Sequence, residues 1–142
     1  MSKDDPRVLA AIDDLRLAGQ RITKARRAVL EAIAASKEHP TADDIHAAVA
    51  RRAPEVHLAT VYRTLETMRE LGIIEHTHLR HGPAVFRLAA DAHEHLVCEG
   101  CGSVVDVPSE ALRPVRKRLQ QDYGFRVGTL HFAITGRCER CT

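Results

Sequence analysis

The stretch His93-Glu94-His95-Leu96-Val97-Cys98-Glu99-Gly100-Cys101 ends in a Cys-x-x-Cys pair, and a second pair, Cys138-Glu139-Arg140-Cys141, follows some forty residues later. These four are all the cysteines of the chain. Two intervening residues let both sulfurs of a pair point into one turn, and two such turns make a four-thiolate shell for one tetrahedral zinc ion. A shell closed by four thiolates has no open position, so the expected role is structural. The adjacent histidines point to a second site of different character, because imidazole and carboxylate suit exchangeable iron, nickel, manganese or zinc.

Working outward, 142 residues make one large domain or two small ones, and a 44% hydrophobic chain with only two tyrosines, three phenylalanines and no tryptophan must build aliphatic cores. A lobe of roughly 50 residues is a marginal folder. Structural zinc, at about 10–16 kcal/mol of apparent binding energy in small peptides, matches or exceeds the ~5–15 kcal/mol stability of a typical domain. The opening MSKDDPRVLAAIDDLRL has no apolar run of signal-peptide or membrane-span length, which predicts a cytoplasmic protein with reduced thiols and no membrane partner. Disulfides are the alternative use of four cysteines, and that compartment argues against them. Net charge is only +2, so any nucleic-acid contact must be local. Arg21, Lys24, Arg26 and Arg27 form one basic cluster and Arg51-Arg52 another; a solvated helix face is the ordinary explanation for either.

Apolar spacing predicts a helix over residues 7–17 (Val8, Leu9, Ile12, Leu15) ending at Gly19, a second from the cap Thr23 with Ala25, Val29 and Ile33 inward, and a third opened by the capping box Thr41-Ala42-Asp43-Asp44. A fourth spans about Ala59–Leu71, with Val61, Leu65, Met68 and Leu71 inward and Gly72 as its stop. Two short strands, 73–79 and 84–88, flank the turn Arg80-His81-Gly82-Pro83 and form a hairpin directly behind the fourth helix, the arrangement of a winged helix-turn-helix. Residues 89–92 read as a linker. From His95 to Val107 the pattern is strand, cysteine turn, strand; Ser109 caps a helix with Leu112, Val115 and Leu119 inward, ending near Gly124, and Phe125–Ile134 is a last strand.

On the fourth helix Thr60, Arg63, Thr64 and Thr67 lie opposite the apolar stripe, with Tyr62 near the start. Such a face suits a major groove: arginine pairs with guanine O6/N7 and hydroxyls reach phosphate or base edges. An ordinary amphipathic helix shares much of this pattern. Histidines at i and i+2 on a strand share a side, so His76/His78 and His93/His95 can each offer two ligands to one ion, whereas His39 and His131 stand alone. Enzymatic zinc is disfavoured. A zinc deaminase carries H-x-E before P-C-x-x-C, but here Glu94 is adjacent to His93, Val97 replaces the proline, and the second cysteine pair closes the shell.

These residues together resemble the ferric uptake regulator family of bacterial metal-responsive repressors. The resemblance runs from Gly19-Gln20-Arg21-Ile22-Thr23 through His57-Leu58-Ala59-Thr60-Val61-Tyr62-Arg63-Thr64-Leu65 and His93-Glu94-His95-Leu96-Val97-Cys98 to Gly136-Arg137-Cys138-Glu139-Arg140-Cys141. It implies an α+β chain: an N-terminal winged helix-turn-helix DNA-binding domain (1–88), a hinge (89–92) and a small C-terminal α/β dimerisation and sensing domain (93–142) with structural zinc on Cys98, Cys101, Cys138 and Cys141. By position, Arg21 resembles the family's minor-groove contact, and Tyr62 and Arg63 its recognition-helix contacts, with Thr60 beside them. His39, His93, His95 and Asp106 match family ligands of the regulatory ion. Arg87 stands where iron and peroxide sensors carry a carboxylate, and the zinc sensors' extra cysteine is absent. His76-Thr77-His78-Leu79 and His131-Phe132-Ala133-Ile134 look like the nickel-responsive branch, with Asp91 where that branch has a histidine. The implied protein is a homodimeric repressor of a palindromic double-stranded operator and not an enzyme, with Ni²⁺ or Fe²⁺ ahead of Zn²⁺ or Mn²⁺ as its signal. A peroxide sensor using metal-catalysed histidine oxidation and a zinc-responsive repressor are the alternatives within the family; a zinc-storage or protein-interaction module is the alternative outside it.

Overall fold

Polar side chains stand at the start of each of the first three helices in the computed structural model, which describes residues 5–91, 93–128 and 133–142. Asp5 accepts the Arg7 backbone N–H at 2.9 Å and Pro6 takes the first helical position of α1 (Pro6–Leu17). Thr23 accepts from the Arg26 N–H at 3.1 Å before α2 (Lys24–Ala35). Thr41 and Asp44 satisfy each other's backbone N–H groups at the head of α3 (Ala42–Ala50). Such caps contribute about 1 kcal/mol each. After α4 (Leu58–Glu70) the chain turns through Gly72 at φ +70°, a left-handed conformation that a Cβ disfavours.

The inward residues recur every three or four positions: Val8, Ile12 and Leu15; Val29 and Ile33, with Leu30 beside them; Ile45 and Val49; Val61, Leu65 and Met68. With Ile73, Ile74 and Leu88 they form one aliphatic core, and Phe86 packs only at its edge. Burying one such side chain contributes about 1.5–3 kcal/mol. Two expected positions on α4 differ. Thr64 is buried, because it lies three residues after Val61 and four before Met68 on the same stripe, and so cannot read DNA. Leu71 is exposed, because the helix ends one residue before it.

Strands β1 (Ile74–Thr77) and β2 (Val85–Leu88) pair as a two-stranded sheet behind α4. A bridge between Thr41 and Val85, and the Phe86 N–H bonded to the Pro40 carbonyl at 2.9 Å, tie it to the turn before α3. Within the sheet Arg87 meets Glu75 at 3.0 Å, with both side chains largely out of water. The residues expected as linker begin with a 3₁₀ turn, Ala89–Asp91, whose Asp91 receives Arg7 at 2.8 Å.

The chain divides into residues 5–76 with Pro83–Asp91, and residues 77–82 with 93–142. The hairpin turn therefore groups with the second unit, whereas the sequence placed all of 1–88 together. The Ala133 N–H donates to the His78 carbonyl at 3.3 Å, and Arg80 donates to the Gly102 carbonyl.

In that second unit β3 (His93–Cys98) is central, flanked by antiparallel β4 (Val104–Pro108) and parallel β5 (Ile134–Gly136). Helix α5 (Arg113–Tyr123) follows a 3₁₀ turn at Ser109–Leu112 and ends at Gly124, φ +63°. The last strand is shorter than expected: 125–128 lie outside any strand, and 129–132, including the candidate ligand His131, fall outside the described residues. Val115, expected inward on α5, is exposed, and Leu112 and Leu119 are only half-buried. The apolar stripe of α5 finds no core to enter among the described residues of this unit. Among the described residues no helix is long and apolar enough to cross a membrane.

Candidate metal centres and nucleic-acid face

Sheet register brings the cysteines together. Parallel pairing sets Cys98, at the end of β3, against Gly136, two residues before Cys138, and the Glu99 N–H donates to the Gly136 carbonyl at 2.8 Å. The four sulfurs lie within 4.8 Å of one another, and none is in a disulfide. Sulfurs each about 2.3 Å from a tetrahedral zinc stand about 3.8 Å apart; Cys101 Sγ and Cys138 Sγ are 3.8 Å apart. Backbone N–H groups of Cys101 and Cys138 donate to Cys98 Sγ at 3.5 and 3.3 Å, which holds the Cys98 thiol down to about 5. The Cys141 thiol is pushed up to about 12, first by its hydrogen bond with Cys138 and then by those with the other sulfurs. Cys98 is thus held toward thiolate and Cys141 toward thiol, and a divalent cation is the charge that favours the thiolate at both. Gly100 is the residue the motif spacing alone did not single out. A Cβ there would stand 2.9 Å from Cys141 Cβ and 3.0 Å from its Sγ, so only glycine lets the two cysteine turns close on each other.

Antiparallel register builds the second cluster. His95 faces Asp106 directly across β3 and β4, and His93 lies on the diagonal, two residues along. His93 Nε2 and His95 Nε2 are 3.6 and 3.5 Å from Asp106 Oδ1, and the imidazole centroids are 4.6 Å apart. Ligand atoms each about 2.1 Å from a tetrahedral ion stand about 3.4 Å apart, so these three groups fit one divalent cation. His95 is buried and Asp106 half-exposed, giving two nitrogens and a carboxylate with a route from solvent. Glu94, between the histidines, points the other way and is buried against Arg116 at 2.6 Å, an ion pair the sequence did not signal.

The remaining candidate ligands are placed differently. His39 lies half-buried in the loop between α2 and α3 of the first unit. His76 also belongs to the first unit, its ring 6.5 Å from that of Phe86, while the His78 ring bonds the Gly82 carbonyl at 3.3 Å in the second. Among the described residues neither His76 nor His78 joins a ligand cluster. β1 ends at Thr77, and His78, one residue on, stands in a separate bridge with its ring on the Gly82 carbonyl. Asp91 is held by Arg7.

On α4, Tyr62 and Arg63 are exposed beside half-buried Thr60, and Arg63 Nη2 reaches Thr60 Oγ1 at 3.4 Å. Arg21 is exposed before α2, its carbonyl accepting from Arg26 at 2.6 Å. An exposed guanidinium and phenol on the open face of the second helix of a helix-turn-helix are what base-edge contact requires.

Over residues 17–135 the chain matches the Ferric uptake regulator family. It is 35% identical over 132 residues to the peroxide operon regulator of Bacillus subtilis (strain 168), covering 93% of this chain and 91% of that protein. Among solved structures it is similar to the ferric uptake regulator from Pseudomonas aeruginosa with manganese, at TM-score 0.74 and 28% identity over 91% of this chain and 98% of that one. It is likewise similar to the Campylobacter jejuni peroxide stress regulator, at TM-score 0.68 and 25% identity over 94% and 98% of the two chains.

Proposed function

Because this chain belongs to the ferric uptake regulator family, we propose that it is a homodimeric, metal-dependent transcriptional repressor acting in the cytoplasm, with a palindromic double-stranded operator as its partner. The observation that carries the reading is the convergence of His93, His95 and Asp106 on one side of β3 and β4, in a chain whose other unit is a winged helix-turn-helix.

Cys98, Cys101, Cys138 and Cys141 would hold structural zinc. His39 would join His93, His95 and Asp106 around the regulatory ion, Ni²⁺ or Fe²⁺ ahead of Zn²⁺ or Mn²⁺, and that ion supplies the positive charge that draws their lone pairs together. With ligands from both sides of residues 89–92, occupancy favours one arrangement of the units over the others. Metal and DNA then strengthen each other reciprocally, since both select the same arrangement. Arg63, Tyr62 and Thr60 read base edges, and Arg21 reaches backbone or minor groove. Exposed Val105, Val115, Phe125 and Ile134 support a homodimer through the second unit, where they otherwise lie in water.

Chelating the exchangeable metal is expected to weaken operator binding by about 5–150-fold in fluorescence anisotropy, the usual span of allosteric coupling; unchanged affinity would sink the proposal. For Arg63→Ala, discrimination between operator and random duplex is expected to fall by about 1–3 kcal/mol. An unaltered ratio would mean that another element reads the bases.

A second reading, peroxide-responsive repression, is favoured by the two relatives named for peroxide. It uses the same ligand set with Fe²⁺, and His39 or His93 as the oxidised group. Peptide mass spectrometry after peroxide treatment of the iron-loaded protein separates the two: a histidine that has gained one oxygen supports this reading, and unmodified histidines with released iron leave metal sensing.

A further inference from the structure

Helix α5 breaks the local electrostatic rules at its first turns. No acidic residue occupies the first turn of α5, yet Arg113, Arg116 and Lys117 all sit toward its positive end, where the Ser109–Leu112 turn leads in and the Arg113 N–H meets the Glu110 carbonyl. At spacings of three and four they are like-charged neighbours, a destabilising arrangement. They share one face with Gln120 and line, with Arg126 from the chain beyond the helix, a cleft of about 490 Å³. Among the described residues Glu110 is the one acid lining it. Among the described residues Arg113, Lys117 and Arg126 make no ion pair. Arg116 is committed through Nη2 to buried Glu94, but its Nε is buried and has no partner. A chain of net charge +2 thus gathers four cations in one concavity, compensated there by a single exposed carboxylate and by Glu94 beneath.

We propose that this cleft is a binding site for a phosphate group carrying two or more negative charges. A divalent oxyanion offsets the like-charge crowding, and guanidinium forks match its oxygens. The volume exceeds that of one phosphate, leaving room for what the phosphate is attached to: a small phosphorylated molecule or a segment of nucleic-acid backbone. Through Arg116 and Glu94 the cleft is wired to β3, so its occupant bears on the strand that carries His93 and His95. Departures from local preference that lack compensation inside the fold mark functional positions.

Pyrophosphate titrated calorimetrically into the full chain tests the first source. Saturable binding of one per chain is expected, weakened about tenfold or more in the double variant Lys117→Ala/Arg126→Ala and retained in Lys117→Arg. Both positions are exposed, and an unchanged melting curve excludes misfolding. The second source is tested by anisotropy with a duplex lacking the operator: if backbone phosphate is the ligand, the double variant lowers the salt slope of duplex binding by about 2. A weaker pyrophosphate isotherm with an unchanged slope assigns a small molecule, and a reduced slope assigns the backbone. An isotherm and a slope both unmoved by the double variant overturn the site.

Discussion

Replacing Cys98 by serine is expected to strip the second unit of its zinc, its fold and its ability to dimerise. Cys98 is buried at the end of β3, accepts two backbone N–H groups, and shares its register with the turn that delivers Cys138. Apart from that centre the unit has little to hold it. Among its described residues Val97 and Cys98 are the only buried apolar side chains, against some twenty in the first unit. Zinc, at about 10–16 kcal/mol in small zinc-finger peptides, would therefore be the dominant stabilising contribution, and three thiolates with a hydroxyl would not reproduce it. Metal analysis, circular dichroism and sedimentation velocity check the outcome. A folded dimer of Cys98→Ser with full zinc content refutes the structural assignment. The first unit, with its own aliphatic core and three capped helices, is expected to keep its helical signal in the same variant.

His95→Ala is expected to abolish the metal response while leaving zinc content and fold intact. His95 is 3% exposed and directly opposite Asp106, the most enclosed of the three converging groups. Removing its imidazole takes one nitrogen from the set and opens the strand pair to water. Operator affinity should then be the same with and without added metal, a collapse of the roughly 5–150-fold coupling to about unity. Titration of Ni²⁺ and Fe²⁺ into wild type and variant, followed by operator anisotropy, reads both effects. If His95→Ala still tightened on DNA with metal, the sensing ligands would have to lie elsewhere, with His76 and His78 the next to replace.

What was legible in the chain divides along physical lines. Local chemistry announced itself: Thr23, Thr41 and Asp44 read as caps and serve as caps, and the cysteine pairs converge as their spacing requires. Stripe positions read from a single residue type were less secure. Thr64 looked like a solvent-facing hydroxyl because threonine is polar, but its phase on α4 is that of Val61 and Met68. The partnership of Asp106 with His95 depends on strand register, which no local signal carries; only the family resemblance pointed to it. Pairing His76 with His78 assumed that the strand continued past Thr77. The inward stripe assigned to α5 assumed a core within the unit, whereas Val115 and Phe125 remain exposed, as a surface awaiting a second copy would be.

The pairing of Arg87 with Glu75 limits how this sensor can be retuned. The family resemblance implies a carboxylate at the position of Arg87 in iron and peroxide sensors, so one substitution looks sufficient to convert one ligand set into another. Here it is not. Arg87→Asp would set two acids face to face in the hairpin, each mostly shielded from water, where a guanidinium now neutralises one. The path between metal specificities on this scaffold therefore runs through two simultaneous changes, with Glu75 exchanged alongside Arg87. Glu75 thereby constrains which side chain the position of Arg87 can accept.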